Sequence, residues 1–168
     1  FATVCAIGTL YMPLTGLSPS ATHAAPLNSA LISLEGPLKN YVVTNKTYKR
    51  VEDVVDALKK EFEANNFIIK GIIDHQDIAR SQGLEVSSNI ALLVGLPSFE
   101  APIIQSNPAA SLFVPLTIAV WRNDSITYIA YWDPNSDFRT NLGPLSKEAS
   151  EVVNTMTIVL SKIVETVL

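Results

Sequence analysis

Asp74-His75 is the pair that carries the most chemistry in this chain. A histidine ionises near neutral pH, so it can act as a general base or a metal ligand. A carboxylate beside it can orient the ring. The plainer reading is that Asp74 caps a following helix and His75 sits in its first turn, and capping accounts for both positions. Asn107 and Tyr131 are the polar side chains that would complete a small-ligand cleft with this pair. A metal centre on His75 needs further ligands, and the other histidine, His23, lies far upstream. No metal and no cofactor are therefore expected. No phosphate-cradling loop, Ser/His/Asp grouping or pair of catalytic carboxylates occurs, so a non-enzymatic role is the first expectation.

Aromatic residues offer a different chemistry. Trp121, Tyr128, Tyr131 and Trp132 cluster late in the chain, in two runs that read as the strands of a hairpin. Alternation along a strand sends Tyr131 and Trp132 to opposite faces, so one ring must point away from the core. An exposed aromatic suits a protein or lipid contact. The bland alternative places one ring in the core and the other under a helix.

Composition narrows the partners. The chain has 168 residues, a formal net charge of -4, 48% hydrophobic and 17% charged residues. That is one ordinary domain with an extension, too apolar for a disordered chain. No basic stripe is visible, so nucleic acid is not an expected partner. The single cysteine, Cys5, forms no intrachain disulfide and builds no cysteine-based zinc site.

Charge is unevenly spread, with no Asp, Glu, Lys or Arg before Glu35. Residues 1–26 read as a hydrophobic leader followed by a small, proline-containing linker. A cleaved signal peptide and an uncleaved membrane anchor both fit this stretch. The expectation adopted is the anchor, a hydrophobic helix carrying Phe1, Val4, Ile7, Leu10, Tyr11, Met12, Leu14 and Leu17. Pro13 bends or breaks such a helix, so contacts with a larger membrane complex would help to hold it. This places the protein on the periplasmic side of a bacterial inner membrane; the alternative is a soluble periplasmic or secreted protein.

Residues 27–168 read as one α+β domain. Tyr41–Thr44 is a short strand. Val51, Val54, Val55, Leu58 and Phe62 recur at helical spacing. Residues 67–73 are β-branched and read as a strand; a short helix capped by Asp74 runs to Gln82 before Gly83. Residues 91–95 form a continuous apolar strand. Ser98 is the expected cap of a helix ending at Ser106, closed by Asn107-Pro108. Residues 114–121 and 126–132 form the hairpin, with a turn over 122–125. Ser146 opens a long last helix. The expected architecture is a single mixed β-sheet with helices mainly on one face.

Several runs between Asp74 and Pro134 carry a resemblance: Asp74-His75, Gly83-Leu84, Leu92-Leu93-Val94-Gly95-x-Pro97, Ala101-Pro102-Ile103-Ile104, Asn107-Pro108-Ala109-Ala110, Pro115-Leu116 and Tyr131-x-Asp133-Pro134. In order and spacing they resemble the bacterial and archaeal family called domain of unknown function 302. The resemblance implies a compact α+β domain that often self-associates, and it implies no established reaction. Two positions depart from it: Leu96 stands where the family usually has Asn, and Phe113 where it usually has Asp. Apolar residues there suit a packing surface. Leu96, Phe113 and Trp132 are accordingly the expected interaction surface.

The expected function is a non-enzymatic accessory or scaffold subunit, exported and tethered at a membrane. Its expected partners are membrane lipid, through residues 1–17, and other subunits of a membrane complex, an electron-transport assembly being one candidate; a homodimer is the third. The alternative is a small-ligand domain or enzyme using the cleft of Asp74, His75, Asn107 and Tyr131.

Overall fold

The structure, a computed structural model, describes residues 41–168. The anchor residues Phe1, Val4, Ile7, Leu10, Tyr11, Met12, Leu14 and Leu17, and the linker to residue 26, lie outside the described residues. Among the described residues no helix is long and apolar enough to cross a membrane.

The elements run β1 (Val42–Thr47), α1 (Val51–Ala64), β2 (Ile68–Asp74), α2 (His75–Ser81), β3 (Asn89–Gly95), α3 (Pro97–Ser106), a 3-10 turn (Pro108–Leu112), β4 (Leu116–Asn123), β5 (Ile126–Trp132), α4 (Pro134–Leu142) and α5 (Lys147–Val167). The strands form one five-stranded sheet in the order β1-β5-β4-β3-β2. Every pairing is antiparallel, so the α+β single sheet is as expected but is not mixed. A mixed sheet needs a crossover that returns a strand in the same direction. Here α1 carries the chain from edge strand β1 to the opposite edge, β2, and α3 lies between neighbours β3 and β4 that run antiparallel.

Register explains the core. Leu92 lies opposite Ile118, Ile118 opposite Tyr131, and Tyr131 opposite Val43. Residues in one such row share a face. Val94, Leu116, Val120 and Ile129 share that face and join the main apolar cluster. Against it pack Val51, Val54, Val55, Leu58 and Phe62 of α1, Ile103 of α3, Phe138 of α4, and Val153, Met156, Leu160 and Ile163 of α5. Four helices therefore cover one face. A fully buried Leu or Phe in such a layer contributes roughly 1.5–3 kcal/mol.

The opposite face carries Ala91, Ala119, Trp121, Tyr128, Ala130 and Trp132. Trp121 stacks on Tyr128 with ring centroids 5.3 Å apart. Short alanines in the central row, Ala91 opposite Ala119 and Ala119 opposite Ala130, leave room for these large rings beside them.

Local signals account for most boundaries. Asp74 accepts a hydrogen bond from the Asp77 amide at 3.0 Å, capping α2. Ser146 does the same for α5 through the Ala149 amide at 3.1 Å. Ser98 does not cap α3. Pro97 occupies the first turn ahead of it, and Leu96 is the N-cap without a side-chain bond. A proline at the helix start has no N–H to satisfy and its φ is already helical, so the helix begins two residues earlier than a Ser98 cap would place it. The hairpin turn is shorter than expected: β4 runs to Asn123, and Asp124 adopts the left-handed conformation, φ 52°, that two-residue hairpin turns need and Asp tolerates. Helix α4 has no counterpart in the expected elements.

Candidate functional site

Asp133-Pro134 builds the site. The Asp133 carboxylate accepts from the Asn135 amide at 3.2 Å and from the Ser136 hydroxyl at 2.6 Å. Pro134 follows at the first helical position. These two residues end β5 and start α4 immediately, which turns α4 back across the end of the sheet. The Asp133 amide also donates to the Tyr41 carbonyl at 2.7 Å, which fastens the residue before β1 to the same corner.

A cavity of about 520 Å³ opens at this corner. Its floor is the start of β4, Leu116 and Thr117, preceded by Pro115. Leu112 and Phe113 form one wall; Tyr41 and Trp132 form another; Pro134, Asp137, Thr140 and Asn141 of α4 form the third. The size and the mostly apolar lining, with a few polar groups, are those of ligand or side-chain recognition pockets. Phe113 is held from behind by Phe138, ring centroids 5.9 Å apart and nearly perpendicular. Phe138 is fully buried, so the Phe113 wall is anchored in the core. Trp132 is 41% exposed and Leu112 83%, which makes them the open rim.

Asn107 ties two of the walls together. Its side-chain carbonyl accepts from the Ala109 amide at 3.0 Å, capping the 3-10 turn, and its amide donates to the Leu142 carbonyl, the last residue of α4, at 3.1 Å. One residue thus sets Leu112 and Phe113 against Asp137 and Asn141.

Asp137 is the polar group of interest. Asn141 donates to its carboxylate at 2.6 Å. Burial pushes its carboxyl above the usual range; the Asn141 hydrogen bond opposes this, and the nearby Asp133 carboxylate adds to it.

The expected site residues divide clearly. Phe113 and Trp132 come together on the cavity. Leu96 does not line it; it lies half-buried at the end of β3, packed against the core. Tyr131 is 4% exposed on the helix-covered face, where burial raises its phenol. Asp74 and His75 lie at the end of edge strand β2, separated from β5 by β3 and β4. Asn107 lies beyond α3, bonded as above. The structure does not bring these four into one cleft, and none of them lines the corner cavity or the shallower one between α1 and the end of α5. Among the described residues no group of three or more His, Cys, Asp or Glu is placed to hold a metal.

Sequence reasoning missed Tyr41, Leu112, Asp137, Thr140 and Asn141. The signal for α4 was present: an Asp followed by Pro, then a glycine at position 143 with φ +71° closing the helix.

Comparison with known proteins agrees with this architecture. Residues 42–163 match the family described as Domain of unknown function DUF302. A crystal structure of an uncharacterized conserved protein DUF302 from Bacillus stearothermophilus superposes with a TM-score of 0.68 at 14% identity, covering 76% of this chain and 98% of that one. At that identity the likeness is one of fold. No curated protein matches the chain.

Proposed function

The chain belongs to the DUF302 family, and we propose that it is a non-enzymatic accessory domain that binds another protein through the surface around Trp132. The observation that carries this reading is the rim of the cavity. Leu112 and Trp132, at 83% and 41% exposure, flank an apolar pocket rather than standing alone. Scattered apolar side chains on a surface need no explanation, but ones grouped around a concave aromatic pocket resemble the centre of an interface. The described residues supply no reactive constellation there: the pocket has one carboxylate and no nucleophile-base pair.

The tether belongs to the same proposal. Residues 1–17 are charge-free and approach the apolar length that spans or lies in a bilayer. In this reading they hold the domain on the periplasmic side of a bacterial inner membrane, beside subunits of a membrane complex, with self-pairing as the competing mode.

Photo-crosslinking in cells tests it. A benzophenone amino acid in place of Leu112 in the full chain should give one dominant adduct, lost when Trp132 is also changed to Ala. The same probe in place of Ile158, exposed on α5, should not give that adduct. Identical adducts from both positions, or none from Leu112, would contradict the proposal. An adduct of twice the chain's mass would identify the partner as a second copy.

A further inference from the structure

We infer that the cavity receives an arginine side chain presented by the partner protein, its guanidinium on the Asp137 carboxylate and its plane against Trp132 and Tyr41. The inference rests on the protein-binding reading above and specifies what the partner presents.

Charge argues for it first. Among the described residues lining the cavity, Asp137 is the only charged one. A carboxylate can accept about four hydrogen bonds. Among the described residues the Asp137 side chain accepts from one neutral group, the Asn141 amide at 2.6 Å. The basic residue nearest in the helix, Arg139, donates instead to the Asn154 carboxamide at 3.4 Å, on α5. Burial raises the Asp137 carboxyl, as expected of an acid short of water and of a counter-charge.

Shape argues second. Tyr41, Phe113 and Trp132 give the cavity aromatic walls beside that carboxylate. A guanidinium is planar, weakly hydrated, stacks on aromatic faces and forks onto a carboxylate; an ammonium is a compact, strongly hydrated point charge that gains less from such walls. A volume of about 520 Å³ admits the arginine and part of a neighbouring apolar side chain. Leu112 at the rim offers that neighbour a contact.

The test uses the full chain and two short peptides, acetyl-Leu-Arg-Leu-amide and the same peptide with citrulline, the neutral isostere, in place of arginine. Binding is followed by the backbone amide shifts of residues 137–141. The arginine peptide should bind roughly tenfold more tightly, the worth of one charge-assisted contact in a partly shielded site. Asp137→Asn should bring the two peptides to equal affinity. Trp132→Ala should weaken the arginine peptide several-fold, and it serves as the second variant because its ring is at the rim. Equal binding of both peptides to the unmodified chain overturns the inference. So does binding of neither, or a preference that survives Asp137→Asn. If the crosslink from Leu112 persists in Asp137→Asn while the unmodified chain shows no peptide preference, the arginine inference fails and the protein-binding reading stands.

Discussion

Asn107→Ala is the substitution that best probes how the cavity is held open. Alanine removes the cap on the Ala109 amide and the donor to the Leu142 carbonyl together. Loss of a side-chain cap costs about 1 kcal/mol, and a lost hydrogen bond to a part-buried carbonyl about another 1 kcal/mol. The sum, about 2 kcal/mol, lowers the folded-to-unfolded ratio roughly thirtyfold. Urea unfolding followed by circular dichroism measures it as a lower midpoint at unchanged slope. Asn107→Asp separates the two bonds, since it keeps the acceptor for Ala109 and loses the donor to Leu142. It should fall between the alanine variant and the unmodified chain. The amide shifts of residues 137–141 should move in both variants, because Leu142 ends the helix that carries them. A destabilisation under about 0.5 kcal/mol, within the usual range for surface substitutions, or unmoved α4 shifts, would refute the claim that Asn107 couples the two walls.

Gly95→Ala should break the Lys70–Glu100 ion pair, because a Cβ there would collide with Glu100 Oε1 and lie 2.7 Å from Lys70 Nζ. Both are ends of flexible chains, so the loss should be about 1 kcal/mol, and raising the salt concentration should shrink the difference from the unmodified chain. Thr127→Val should cost about 1–3 kcal/mol in a thermal melt, since the fully buried Thr127 hydroxyl donates to the Lys49 carbonyl at 2.7 Å and valine leaves that acceptor unpaired. Asp137 binds its proton more tightly folded than unfolded, so its contribution is most favourable below the ordinary carboxylate range and is lost as pH rises through the raised folded value. Asp137→Asn should therefore gain stability relative to the unmodified chain as pH rises from acid to neutral, seen as a growing difference in urea midpoint.

The helical stripe of α1 was legible because Val51, Val54, Val55, Leu58 and Phe62 are all buried on one face, the local pattern and the global core agreeing. Caps at Asp74 and Ser146 were legible for the same reason: each satisfies backbone amides within its own turn. Helix α4 was harder to see because it has only two buried residues, Pro134 and Phe138, so no apolar period announces it. Its signals lie at its two ends: Asp133 ahead of Pro134, and Gly143 at the close. The hairpin's alternation correctly separated Tyr131 from Trp132, at 4% and 41% exposure. The cavity itself was not legible. Tyr41 precedes β1, Phe113 follows the 3-10 turn, Trp132 ends β5 and Asp137 lies in α4; the place of β5 between β1 and β4, together with the Asp133-Pro134 turn and the Asn107 bonds, brings them to one corner. Asn107 was expected in a ligand cleft with Asp74, His75 and Tyr131, but its partners, Ala109 and Leu142, make it a brace between cavity walls; no periodicity encodes a contact across 35 residues.

The central claim is that Trp132, and not the sheet's other tryptophan, faces a partner. The chain has two tryptophans, so 5-fluorotryptophan labelling gives two fluorine resonances. Trp121 is stacked on Tyr128 at 5.3 Å and its indole N–H is buried, which makes it the internal reference. Fluorine spectra of the full chain would be compared in membranes of its native cells and after purification in detergent. The expected result is a Trp132 resonance shifted and broadened in the membranes, restored on purification, with Trp121 unmoved. A Trp132 resonance identical in both settings, or a change confined to Trp121, would contradict the account.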